Sequence, residues 1–294
     1  MNDGDADPDS RPVKTRGAVR LPGGLTLRAL VPNAITAAAL GFGLTGIRFA
    51  INAVNGEGAS VSPDGGLPIS DWNKAVLAVI LAGVLDGIDG RIARLLKAQS
   101  RFGAELDSLA DAISFGVAPA IILFLWTLQD LPRLGWFASL AFAICCVLRL
   151  ARFNARIDLA DQPHKSAGFL TGVPAPVGAG LAFLPLYLWF ATGRDEFRDP
   201  LLVGGWLVLM AFLLISSLAT LSWASIRPRK SIRLELLALL ALVGAALLSE
   251  PWLTLVGICL IYVALLPYGI WRYARIKRQR AVRAGSDAPG LPDA

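Results

Sequence analysis

Four aspartates are the residues of this chain best placed to do chemistry. They stand at 86, 89, 107 and 111, within the stretch DGIDGRIARLLKAQSRFGAELDSLAD. Asp86 and Asp89 are three apart, and Asp107 and Asp111 four apart, so on helices each pair shares one face. Four carboxylates cannot stay ionised side by side without cations. Ligands that are all oxygen select hard divalent ions, Mg²⁺ or Mn²⁺. Such ions beside Arg91, Arg94 and Arg101 suit a substrate that carries phosphates. Gly90 has no side chain and leaves room for a ligand to approach the backbone beside Asp89. The plainer alternative is a hairpin whose acids merely pair with its own arginines. Such pairs are cheaper in water than at membrane depth.

Membrane depth is where the pattern puts them. Asp86 follows the apolar run 75–85, and an ionisable residue in a span is costly enough to mark a function. The segment 95–103 carries Lys97 and Arg101 and ends in Gly103, so it reads as a short turn between antiparallel helices. Folding that hairpin brings the two acidic pairs together. The rest of the sequence predicts an all-α, polytopic transmembrane bundle of about eight spans. These are expected near 33–54, 72–96, 104–128, 134–153, 174–191, 201–222, 234–248 and 252–271. The seventh is short for a span, at roughly 15–17 residues. Pro32 is suited to open the first, with Asn33 and Thr36 placed to cap it. Residues 21–31 read either as an interfacial helix or as an irregular lead-in.

Composition agrees. Of 294 residues 55% are hydrophobic and 17% charged, which is membrane-protein usage rather than that of a soluble domain. The net charge of +6 sits at the ends of apolar runs, where it meets lipid headgroups, so no nucleic-acid partner is expected. Cys145, Cys146 and Cys259 lie in apolar runs and read as small hydrophobes. His164 is the single histidine, which argues against a histidine-based metal site or triad. The N-terminal segment has no apolar core of the signal-peptide type. Residues 1–16 and 282–294 are expected to be disordered tails around a core of 17–225 and two added helices in 226–281.

Basic residues load the N-terminus, the 91–101 turn, the connectors 149–165 and 227–233, and the C-terminus. By the positive-inside rule both termini and the motif turn are cytoplasmic. Asp86 then lies roughly 15 Å along its helix from the turn. A lipid headgroup can reach it there while acyl chains stay in hydrocarbon.

The acidic stretch resembles, position for position, the D-x2-D-G-x2-A-R-x8-G-x3-D-x3-D signature of the CDP-alcohol phosphotransferases. The matching residues are Asp86, Asp89, Gly90, Ala93, Arg94, Gly103, Asp107 and Asp111. That resemblance implies transfer of a substituted phosphate from a CDP-linked donor to an alcohol, with CMP leaving. It implies two divalent cations held by Asp86, Asp89, Asp107 and Asp111, with Asp111 also the general base. Gly90, Ala93, Arg94 and Gly103 would adjoin the CDP moiety. Pro32, Asn33 and Thr36 match the family's P-N-x2-T element, which helps bind the nucleotide; helix capping is the other reading. The segments 148–154 and 168–176 resemble the R-x-A-R-F-N and F-x-G-x-P-x-P patterns of the branch that joins CDP-diacylglycerol to L-serine. Val173 is a mild departure. Arg149, Arg152 and Asn154 would then meet the acceptor or a lipid phosphate, or else simply anchor their span. The family also implies a homodimer in the bacterial inner membrane. Small residues at 37, 38, 39, 41, 43 and 46 permit close helix contact, within or between subunits. A sibling enzyme using a glycerol-phosphate, inositol-type or choline acceptor is the runner-up. An ion transporter is the remote one, since no polar element continues the path outward from the hairpin.

Overall fold

The computed structural model describes residues 27–56, 70–157, 169–171, 173–216, 219–221 and 233–267. Its first helix, α1 (Leu27–Asn55), begins upstream of the expected start. Pro32 lies inside it, so Asn33 and Thr36 do not cap it. The apolar residues ahead of Pro32 extend the rod, and proline there forfeits one backbone bond, to the carbonyl of residue 28. The last part of the lead-in is therefore the first turn of α1.

Helix α2 (Asp71–Leu95) starts on Ser70, whose hydroxyl accepts from the Asn73 amide at 3.4 Å. Buried Asp71 is paired with Lys74 at 2.7 Å. A connector comes next, in which Lys97 takes a left-handed φ of 49°. Ser100 then caps α3 (Arg101–Asp111), accepting from the Gly103 amide at 3.0 Å. Gly103 thus lies in the first turn of α3 rather than in the expected turn.

Helix α3 runs into a π-helical segment, Ala112–Val117, and then into α4 (Ala118–Trp126). The wider π turn rotates α4 relative to α3, so the aspartates of α3 and the buried apolar face of α4 are not one continuous stripe. Ser114 in this segment donates to the Ala39 carbonyl of α1 at 3.4 Å.

Helix α5 (Pro132–Ile157) returns to the hairpin end. The expected straight span 174–191 is broken into α6 (Ala175–Ala182) and α7 (Leu184–Thr192), bent by 41°. Pro185, in the first turn of α7, has no amide proton to continue the ladder. α7 stops at Gly193, which takes a φ of 67° that favours glycine. Helix α8 (Pro200–Ile215) ends short of the expected 222, because Ser216 is extended. Beyond it β2 (Ala219–Leu221) pairs antiparallel with β1 (Phe169–Thr171), a small ladder among described residues that are otherwise mainly helical. Helices α9 (Arg233–Ser249) and α10 (Pro251–Pro267) complete the described chain. The expected tails, most of the 21–31 lead-in, His164, Lys165, Gly168, Gly172, the basic residues 227–230 and the end of the last span lie outside the described residues.

The architecture is all-α and polytopic. Among the described residues 3 helical rods are long and apolar enough to cross a bilayer on their own, up to 4 with the bent pair. α2 has the length, at 25 residues, but carries the motif charges. α8, α9 and α10 are apolar but shorter, in the 10–17 residue range. About eight spans were expected; the rods lie near those positions, but most are too short, bent or charged to pass as a full span. α1 packs along α2, and α5 along α8. The core holds Trp126, Phe142, Phe183, Leu207, Met210 and Leu214. Leu234, Leu237, Leu240 and Leu248 of α9 are all exposed, a surface suited to lipid. The end away from the hairpin is tied by Arg198, which donates to the Trp126 carbonyl at 3.0 Å while its own carbonyl accepts from Thr127 at 2.6 Å.

Candidate active site

The hairpin of α2 and α3 does bring the acids together. Carboxylate oxygens of Asp86, Asp89 and Asp107 all lie within 4.8 Å of one another. Asp111 closes the group, with its carboxyl in hydrogen-bonding reach of Asp86. At an effective dielectric of about 20, two like charges that close repel by at least about 3 kcal/mol. The repulsion is relieved by positive charge among the oxygens or by protonation of some of the carboxyls. A donor set made of carboxylates alone fits a hard divalent cation.

Thr36 is buried and donates its hydroxyl proton to Asp89 Oδ2 at 2.6 Å. The Pro32 carbonyl, at 3.1 Å, competes for the same proton, and the shorter, charge-assisted contact wins. Thr36 therefore fixes one oxygen of Asp89 and leaves the other free to ligate. This link between α1 and the acidic motif was not read from the sequence, which offered Thr36 as a cap or a nucleotide contact.

Asn33 sits one turn away. A side chain at Gly103 would place its Cβ 2.9 Å from Asn33 Oδ1 and 3.1 Å from Ser100 Oγ. The absence of a Cβ at 103 thus leaves room for the Asn33 side chain, and a larger residue there would have to displace it. At Gly90 an added Cβ would meet nothing within 4 Å, so there is open space beside Asp89. Ala93 is half-buried. Arg94 is exposed, its Nε donating to the Gly90 carbonyl at 3.0 Å.

The second cluster separates. Asn154 donates to Ser108 Oγ at 2.7 Å, between Asp107 and Asp111, and so pins the end of α5 to α3. Arg149 is half-buried and within electrostatic range of Asp111. Arg152 is exposed and points elsewhere: its Nη1 donates to the Ile215 carbonyl at 2.9 Å, capping the last turn of α8. Ser108 carried no signal in the sequence, because a serine inside a helix ordinarily bonds its own backbone, as this one does to the Ala104 carbonyl at 3.0 Å.

Residues 29–223, more than half of the chain, match the family model CDP-alcohol phosphatidyltransferase. The chain belongs to that family. Residues 231–267 match a second model of the same description, CDP-alcohol phosphatidyltransferase 2. Relatives within the CDP-alcohol phosphatidyltransferases include a CDP-diacylglycerol–serine O-phosphatidyltransferase of Mycobacterium tuberculosis, 36% identical over 82% of this chain and 78% of the relative. One of the same name from Mycobacterium leprae is 36% identical over 89% and 78%. Another, from Helicobacter pylori, is 34% identical over 63% and 75%. With the apolar helices, membership of this phospholipid-synthesising family makes the chain an integral membrane protein.

Proposed function

We propose that this protein transfers the phosphatidyl group of CDP-diacylglycerol to the hydroxyl of L-serine, giving phosphatidylserine and CMP. The observation that carries the reading is the 36% identity, along most of both chains, to enzymes of that name. Its support in the site is the four converging carboxylates. Asp86, Asp89, Asp107 and Asp111 would hold two divalent cations, Mg²⁺ or Mn²⁺, which when bound offset the negative charge of the pyrophosphate.

The chain's own residues do the rest. Asp111 takes the serine hydroxyl proton as the serine oxygen bonds to the phosphatidyl phosphorus and the bond to CMP breaks. Thr36 holds Asp89 in register. Asn33, with Gly103 making room for it, reaches the cytidine nucleotide from α1, and Pro32, Gly90, Ala93 and Arg94 line the same side. Arg149 offers a guanidinium to the serine carboxylate beside Asp111. Residues 17–225 form the catalytic core and 226–281 added helices. The active site opens to the cytoplasmic face of a bacterial inner membrane, a reading supported by the distribution of basic loops.

The protein works as a homodimer. Ala39, Gly43 and Gly46 of α1 are buried within the subunit, whereas Ala37, Ala38 and Gly41 face outward and are free for a second copy. A strictly monomeric mass in mild detergent would remove the dimer.

The reading is tested with purified protein, CDP-diacylglycerol and a panel of alcohols, scoring CMP release. Serine should be turned over. Release with glycerol 3-phosphate or an inositol compound but not serine would replace the acceptor and keep the reaction class.

Single substitutions probe the pocket. Gly103→Ala pushes on the tip of a flexible side chain, so it should leave Tm nearly unchanged while displacing Asn33. The KM for CDP-diacylglycerol should rise about tenfold, the loss of roughly one charge-assisted hydrogen bond. An unchanged donor KM would take Asn33 out of the nucleotide site. Arg149→Ala should raise the serine KM by about thirtyfold or more, corresponding to at least about 2 kcal/mol. Arg152→Ala should leave both KM values within about threefold, since it removes only an exposed helix cap. The reverse pattern would put the acceptor at Arg152.

A further inference from the structure

Helix α10 is outside the 29–223 core match, yet it is bound into the bundle by one face. That face repeats at helical spacing through Trp252, Val256, Cys259, Tyr262 and Val263. Trp252 lies 4.5 Å from the Phe190 ring and stacks on Tyr187 at 6.2 Å. Further along, the Cys259 thiol approaches the Gly180 carbonyl of α6 at 3.8 Å. α10 therefore descends antiparallel to α7 and α6. Tyr262, nearly one turn past Cys259, arrives toward the N-terminal end of α6. Helix α6 is in contact with the π-helical segment just after Asp111.

Arg149 is waiting there. Its Nε is shielded from solvent, and no acceptor among the described residues takes its proton. A buried guanidinium donor without a partner costs free energy that a bound anion would recover. Arg149 is within electrostatic range of both Asp111 and Tyr262. A guanidinium and a phenol both donate hydrogen bonds, and together they fit an oxyanion.

We propose that Tyr262 and Arg149 form an oxyanion-binding subsite beside Asp111, so that α10 supplies a wall of the active site. This rests on the phosphatidyl-transfer reading above. The carboxylate of the acceptor and the phosphate of the lipid share the required chemistry, and Tyr262 is a binding residue for one of them.

The test uses the full-length protein in detergent, with serine and CDP-diacylglycerol each varied at saturating levels of the other. Tyr262→Phe removes one hydroxyl and keeps the ring, so the fold and Tm are retained. One of the two KM values should rise about tenfold with kcat little changed. A rise for serine assigns the carboxylate; a rise for the donor assigns the lipid phosphate. Neither KM moving beyond about twofold overturns the subsite. Arg149→Lys supplies the second arm. If the two residues hold one anion, adding Tyr262→Phe to Arg149→Lys should raise that KM much less than it does alone. Fully multiplicative effects overturn the shared subsite. If wild-type protein turns over another alcohol and not serine, the serine reading fails, and the same KM comparison is made with that alcohol.

Discussion

Asp111→Asn should lower kcat by about 10²–10⁴-fold while leaving the KM for CDP-diacylglycerol within about threefold. Asparagine matches aspartate in size, and its carbonyl oxygen can still ligate a cation. It cannot accept the proton of the attacking hydroxyl. Asp111 lies against Asp86 and within electrostatic range of Arg149, and in the proposed reaction it is the acid that meets the acceptor hydroxyl. The substitution therefore separates a base from a ligand. Steady-state CMP release, with donor binding measured directly, decides it. A loss of donor binding as deep as the loss of turnover would make Asp111 a ligand alone.

Asp107→Asn should behave differently. Asp107 is one of the three acids whose oxygens lie within 4.8 Å of each other. Replacing it removes a negative charge from the centre of the group. Cation affinity should fall by at least about 100-fold, more than the loss of a supporting contact around a metal would cause. Donor affinity should fall with it, since the pyrophosphate needs that positive charge. Turnover should be nearly abolished even at saturating donor. If Asp107→Asn bound donor normally and failed only in kcat, the roles assigned to Asp107 and Asp111 would have to be exchanged.

The convergence of the acids was legible in the amino-acid sequence, because helical spacing and one short turn suffice to bring the carboxylates together; the separate role of Asp111 came only from the family resemblance. The approximate positions of the rods were legible for the same reason: apolar runs bounded by charge or proline. Other features depend on contacts between distant segments and left no local mark. Nothing in Pro32 itself says that a helix already runs through it. The π-helical segment after Asp111 has an ordinary apolar sequence, Ala112–Val117, and is seen only with Ser114 bonded to the Ala39 carbonyl. The early end of α8 goes with pairing between Ala219–Leu221 and Phe169–Thr171.

The two arginines of α5 show the limit most clearly. Resemblance to the R-x-A-R-F-N pattern suggested both Arg149 and Arg152 for the site mouth, with anchoring of the span as the other reading. In the structure one is within electrostatic range of Asp111 and the other caps α8. Tyr262, in an apolar helix far along the chain, offered no motif at all.

The central claim is that the hairpin carboxylates are a two-cation site. Its most direct test is to count Mn²⁺ bound to metal-stripped, full-length protein by electron paramagnetic resonance in the presence of CDP-diacylglycerol. The account predicts two ions per chain in the wild type and a loss of tight binding in Asp107→Asn. No stoichiometric Mn²⁺ in the wild type, or the same count and affinity in both proteins, would contradict it.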